Sequence, residues 1–169
     1  MMGSVAPSSR YLANALCRYA TEAQYLVELG AGTGAITQHL HSNFPEVPLV
    51  AVERDLAMAA ALAHRLPECS VVAGCLHDRP DLLLGLPEES VIVSSLPFLS
   101  LPEEVSKPTI ALIRDFLLKS PRRKLLQYTY GRKEPFDPGQ QSLSWQRQEL
   151  VLRNLPPAWV WALKKSVWR

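Results

Sequence analysis

The run Val27-Glu28-Leu29-Gly30-Ala31-Gly32-Thr33-Gly34 joins an apolar strand to a glycine-rich turn, and a helical pattern starts directly after it near Ala35. Residues that lack a Cβ let the backbone approach a ligand closely at the carboxyl end of a parallel strand, which is where open α/β sheets bind ligands. Gly30, Gly32 and Ala35 satisfy the dinucleotide pattern G-x-G-x-x-G/A, and Glu53 lies near the spacing of a ribose-binding carboxylate, so an adenosyl cofactor is expected. Glu28 tilts the choice among such cofactors. An acid two residues before the first glycine opposes a pyrophosphate and suits a cationic ligand with an amino-acid tail, as in S-adenosylmethionine. The chain remaining after a nucleotide-binding half is also too short for the separate substrate domain of most dehydrogenases.

The expected cofactor set is therefore Glu28, Gly30, Ala31, Gly32 and Gly34 around the first turn, Glu53 and Arg54 after the second strand, Asp78 after the third and Ser94 at the end of the fourth. Glu28 is assigned to the cofactor's ammonium, directly or through water, Glu53 to both ribose hydroxyls through its two acceptor oxygens, and Asp78 to the adenine amino group. The turn Ser95-Leu96-Pro97-Phe98 exposes backbone carbonyls beside the same cleft, where they would orient a substrate amine. Methyl transfer is an in-line displacement that asks chiefly for positioning and exclusion of water, and no nucleophilic triad is evident. Aromatic faces favour a nitrogen that becomes quaternary, which brings in Phe98, Tyr128 and Tyr130 at strand ends. The four histidines show no metal spacing, and no metal is expected.

Those groups need a scaffold of alternating strands and helices. A helix is expected from about Pro7 to Tyr19, covering the cofactor or touching a membrane. Strands follow over Tyr25 to Leu29, Pro48 to Glu53, Ser70 to Ala73, Val91 to Ser94 and Lys124 to Tyr130, with helices over Ala35 to Ser42, Asp55 to Arg65 and Lys107 to Lys119. Gly131 to Gln141 reads as a long loop belonging to the site, and Gln148 to Asn154 and Ala158 to Trp168 as two strands joined at Pro156-Pro157. The sum is an α/β fold, a mostly parallel seven-stranded sheet with an antiparallel C-terminal hairpin and helices on both faces, the Rossmann-like architecture of class I methyltransferases.

With 169 residues, 47% of them hydrophobic, residues 1–169 suffice for a single domain with its own core, and a monomer is expected. Three cysteines without C-x-x-C spacing speak against a disulfide framework and for a reducing cytoplasm. No apolar run approaches the roughly 18 residues of a membrane span, and residues 1–9 lack the pattern of a secretory signal. A net charge of +2 does not announce nucleic-acid binding. Two basic clusters, Arg122-Arg123-Lys124 and Lys164, Lys165 and Arg169 among Trp159, Trp161 and Trp168, are either solvated faces or contacts to an anionic membrane.

Val27 to Gly34, Ser94-Ser95-Leu96-Pro97-Phe98, Gln127-Tyr128-Thr129-Tyr130-Gly131 and Arg153-Asn154-Leu155-Pro156-Pro157-Ala158 together resemble the bacterial phospholipid N-methyltransferases over nearly the whole chain, and Pro7-Ser8-Ser9 is similar to that family's opening. The resemblance implies S-adenosylmethionine-dependent methylation of phosphatidylethanolamine toward phosphatidylcholine, by a cytoplasmic protein held peripherally at an anionic inner-membrane surface. Cys75 stands where the family usually has an acid, Ser95 where it usually has glycine, and the segment before Pro7 is shorter than the family's membrane-associating extension. Two alternatives remain open at this point. One is an RNA adenine N6-methyltransferase, which shares the first motif, and the other a cofactor-binding protein with weak or lost activity.

Overall fold

The computed structural model describes residues 8–139 and 141–166. Its helices are α1 (Arg10–Tyr19), α2 (Ala35–Asn43), α3 (Leu56–Arg65) and α4 (Glu103–Leu118). Its strands are β1 (Tyr25–Leu29), β2 (Leu49–Glu53), β3 (Ser70–Ala73), β4 (Ser90–Ser94), β5 (Lys124–Thr129), β6 (Leu143–Val151) and β7 (Ala158–Lys165). The strands form one seven-stranded sheet in the order β3-β2-β1-β4-β5-β7-β6. β1 to β5 run parallel, while β7 inserts antiparallel between β5 and β6. The chain leaves β1 toward β3 and returns to β4 on the other side, so the crevice of the sheet opens at the carboxyl ends of β1 and β4.

Period-2 alternation in the central strands separates two cores. Leu26, Ala51, Val93, Leu126 and Val160 face Leu12 and Leu16 of α1, Leu40 of α2 and Leu62 of α3. Val27, Leu29, Ile92, Leu125 and Leu163 face Ile113, Phe116 and Leu117 of α4. Helices thus cover both faces, as expected. α1 starts at Arg10 behind its cap Ser9 rather than near Pro7, while Pro7 itself, the residues before it and the Trp168 end expected for the last strand lie outside the described residues.

Two boundaries differ from the sequence expectation by four residues or more. α4 begins at Glu103 rather than Lys107, because Pro108 sits inside its second turn and masks the start. Glu103 and Glu104 favour the positive end of the helix there. β6 begins five residues earlier than expected, at Leu143. A bulge between Arg147 and Glu149 inserts one residue, so Leu143 and Trp145 face the α4 core while Val151 faces the other. That shift erases the alternation from which the strand would have been read.

The N-terminal helix is tied to the β6–β7 turn. The Ser9 hydroxyl accepts from the Leu12 amide at 3.2 Å, which caps α1, and donates to Asn154 Oδ1 at 2.6 Å. Asn154 Nδ2 donates to the Pro156 carbonyl at 2.7 Å. The Asn-Leu-Pro-Pro bend and the Ser-Ser opening therefore serve one purpose, fixing α1 over the sheet. None of the described residues of the long loop after β5 lines the crevice. Phe136 is buried edge-on between Phe98 and Trp145, and Trp145 Nε1 donates to the Phe136 carbonyl at 2.8 Å.

Candidate functional site

A cavity of about 600 Å³ opens at the carboxyl ends of β1, β2 and β4. The first turn forms one wall through Gly30, Ala31, Gly32 and Thr33, with Glu53, Arg54 and Met58 beside it. Ser95, Leu96 and Pro97 after β4 face it, and Leu101, Val105 and Thr109 close one side, while Ser8 and Tyr128 also reach the cavity. The two turns touch: a Cβ built on Gly30 would meet Leu96 Cδ2 at 3.0 Å, and Gly30 and Gly32 both have positive φ.

Four amides of the first turn already have partners within the protein. Gly30 and Ala31 donate to the Val52 carbonyl at 2.9 and 3.2 Å, Gly34 to Ala31 at 2.8 Å, and Gly32 to Glu53 Oε2 at 2.7 Å. A pyrophosphate needs such amides, and it would meet the Glu53 carboxylate beside them. The donor set therefore rejects a dinucleotide and suits a cofactor without phosphate. Glu53 Oε1 also accepts from the Asp55 amide at 2.9 Å, and each carboxylate oxygen retains acceptor capacity for a ribose hydroxyl.

Glu28 does not line the cavity, so of the two expected routes to a cofactor ammonium, direct or through water, the direct one is not seen. It is wholly buried beneath the turn, where Thr37 Oγ1 donates to its Oε2 at 2.5 Å and no group among the described residues reaches its Oε1. Burial pushes this carboxyl up to about 8, against the Thr37 hydrogen bond and with a small push from Glu53. The neutral form is thus favoured in the fold and the charged form in the unfolded chain. Its contribution to stability is full below the ordinary value of 4.5 and is lost as pH rises through about 8. Thermal unfolding from about pH 5 to about pH 9 should show the parent losing stability relative to Glu28→Gln as pH rises, and parallel curves would refute the burial argument.

Other expected residues also lie off the wall. Ser94 is buried, and its hydroxyl accepts from the Leu96 amide at 3.1 Å. Phe98 packs in the α4 core against Phe136 at 4.9 Å between centroids, so it has the structural role rather than a headgroup contact. Asp78 is exposed on a short 3-10 turn beside His77, and Cys75 and Gly74 line the cavity in its place. Cys75, His77 and Asp78 hold ligand-type atoms within 4.8 Å of one another, a grouping the histidine spacing did not suggest. Tyr130 stands behind Tyr128, 44% exposed and 5.9 Å away between centroids.

The carbonyls assigned to a substrate amine are largely committed within the turn. Leu96 O accepts from Gln127 Nε2 and the Phe98 amide, both at 2.9 Å, and Pro97 O accepts from Ser100 and Leu101. The polar side chains on that half of the cavity are Ser8, Ser95, Thr109 and Tyr128, with Ser8 Oγ 3.2 Å from the Tyr128 hydroxyl. Sequence reasoning missed Ser8, Met58 and Thr109. Gly74, with φ of 134° at the end of β3, was the available signal for Cys75. Among the described residues, the basic clusters do not border the cavity. Arg122 pairs with Glu89 and Glu88, and Arg123 is buried, donating to the Leu86 and Phe116 carbonyls near the amino end of β5.

No protein-family model matches the chain. It is 32% identical over 127 residues to the ornithine lipid N-methyltransferase of Singulisphaera acidiphila, covering 70% of this chain and 66% of that protein. A trans-aconitate 2-methyltransferase of Yersinia pseudotuberculosis is 39% identical over 57 residues, 34% of this chain and 22% of the relative. The chain thus aligns with less than two thirds of either relative. Among solved structures, a TehB-like SAM-dependent methyltransferase from Corynebacterium glutamicum matches with a TM-score of 0.65 at 16% identity, covering 91% of this chain and 86% of that one, a likeness of fold.

Proposed function

The chain belongs by fold to the class I S-adenosylmethionine-dependent methyltransferases, and we propose that it methylates the amine headgroup of a membrane lipid. Phosphatidylethanolamine and an ornithine lipid share the chemistry the site requires: a primary amine tethered to an apolar body. The observation that carries this reading is the cavity itself. A phosphate-averse cofactor wall faces a second wall of Ser95, Leu96 and Pro97 with Tyr128 nearby, and among the described residues of that second wall there is no carboxylate, imidazole or thiol. S-adenosylmethionine, when bound, would supply an electrophilic methyl carbon on a sulfonium, open to in-line attack by an uncharged amine, with the neutral thioether S-adenosylhomocysteine as the leaving group.

The residues of the chain do the rest. Glu53 holds the ribose, and Gly30 to Gly32 bring backbone against the cofactor's tail. Ser95 and Tyr128 orient the amine with its lone pair toward the methyl group, and the amine's released proton passes to water at the open mouth. Leu96, Leu101 and Val105 exclude water from the reacting centre, where positioning supplies most of the acceleration. The Tyr128 and Tyr130 rings favour the cationic product at one rim. We place the enzyme at the cytoplasmic surface of the membrane; among the described residues no helix is long and apolar enough to cross it.

An acceptor panel tests the lipid assignment. Phosphatidylethanolamine, an ornithine lipid, free ethanolamine and a short RNA are each incubated with the protein and methyl-labelled cofactor. The reading predicts label in one or both lipids, at a rate at least about tenfold above free ethanolamine, a gap that apolar contacts to the acyl chains supply. Equal rates with the free amine, or label in RNA alone, would overturn it.

A further inference from the structure

We propose that the β6–β7 turn and the start of α1 form a docking tip for an anionic phospholipid bilayer. Leu152 and Leu155 enter its apolar margin, and Arg10 and Arg153 meet lipid phosphates. The inference rests on the lipid reading above and names the surface that brings lipid to the cleft.

The placement follows from topology. β6 is antiparallel to β7, which is antiparallel to β5, so the end of β6 lies at the same carboxyl edge of the sheet as the cavity. Leu152 is 68% and Leu155 83% exposed, while Val151, Asn154 and Ala158 around them are buried. The leucines are therefore held outward by an anchored turn, since Asn154 bonds Ser9 on one side and Pro156 on the other.

Charge selects the occupant. The Arg10 and Arg153 guanidinium groups both lie over the Tyr11 ring, 5.0 and 5.3 Å from its centroid, and among the described residues no carboxylate lies within 4.0 Å of either. Unpaired cations beside exposed leucines suit an interface that offers phosphates above an apolar layer. The tip also adjoins the cleft. Ser8, two residues before Arg10, lines the cavity and bonds Tyr128, so a bilayer seated on the tip presents headgroups at the mouth.

Vesicle co-sedimentation of the full chain tests this, using phosphatidylglycerol with phosphatidylethanolamine against phosphatidylcholine alone. Leu152→Ser with Leu155→Ser, and Arg10→Gln with Arg153→Gln, should each lower partitioning onto anionic vesicles by about tenfold or more, and the arginine pair should remove its salt dependence. Both variants should bind S-adenosylmethionine like the parent by calorimetry and methylate a monomeric short-chain aminolipid at the parent rate, which reports an intact fold. Unchanged partitioning of the leucine variant would overturn the docking tip while leaving the function standing. Partitioning lost as predicted, with no lipid methylated in any form by the parent, would retain the tip and overturn the function.

Discussion

Alanine at Glu53 is expected to weaken S-adenosylmethionine binding about a hundredfold while the protein stays folded. The carboxylate ends β2 at the cavity rim, and its two oxygens already accept from the Gly32 and Asp55 amides at 2.7 and 2.9 Å. These bonds aim the remaining lone pairs at the cavity, where the cofactor ribose offers two hydroxyls. Hydrogen bonds to a charged group contribute about 1.5–3 kcal/mol each, so losing two at the lower figure costs about 3 kcal/mol. That energy corresponds to roughly two decades in dissociation constant. Glu53→Gln keeps an acceptor oxygen and should lose less. Titration calorimetry decides the matter, and a change under about threefold in the alanine variant would show that the carboxylate holds only the turn.

Valine at Gly34 should cost about 3 kcal/mol of stability, the largest single effect on folding expected around the site. Gly34 has φ of +80°, donates to the Ala31 carbonyl at 2.8 Å and accepts from Gln38 at 2.9 Å, so it closes the first turn and starts α2. A Cβ there would collide with Leu62 and Arg65 of α3. Left-handed backbone costs an ordinary residue about 1–2 kcal/mol and overpacking about 1–3. In a domain of this size the sum lowers the unfolding temperature by roughly 10 °C. Gly131→Ala is the control, since a Cβ at Gly131 meets nothing within 4 Å. Thermal unfolding of the two variants side by side checks the account, and a Gly34 variant as stable as the control would contradict it. Gly34 thus has a packing reason, although the motif had suggested a cofactor contact.

The sheet was legible because its parallel strands are short apolar runs ended by turn residues, and glycine spacing marks the first turn. What was not legible depends on which way a side chain points after a strand ends. Ser94 and Ser95 are neighbours in sequence, yet Ser94 is buried and Ser95 lines the cavity. A carboxylate following the third strand suggested Asp78 for adenine, but the 3-10 turn carries it outward and leaves Cys75 at the wall. Glu28 has the right spacing but lies deeper than a direct contact needs, because β1 alternation sends it into the α1 and α2 core. Ser8, Met58 and Thr109 come from elements whose approach to the cavity is set by tertiary packing, about which local pattern is silent.

The most direct test incubates the protein with methyl-labelled S-adenosylmethionine and mixed phosphatidylethanolamine, ornithine lipid and phosphatidylglycerol vesicles, and reads the lipids by mass spectrometry beside the Glu53→Ala variant. The account predicts labelled mono-, di- or trimethylated amine headgroups that fall away in the variant. Unlabelled lipids from a parent protein that binds the cofactor normally would contradict it.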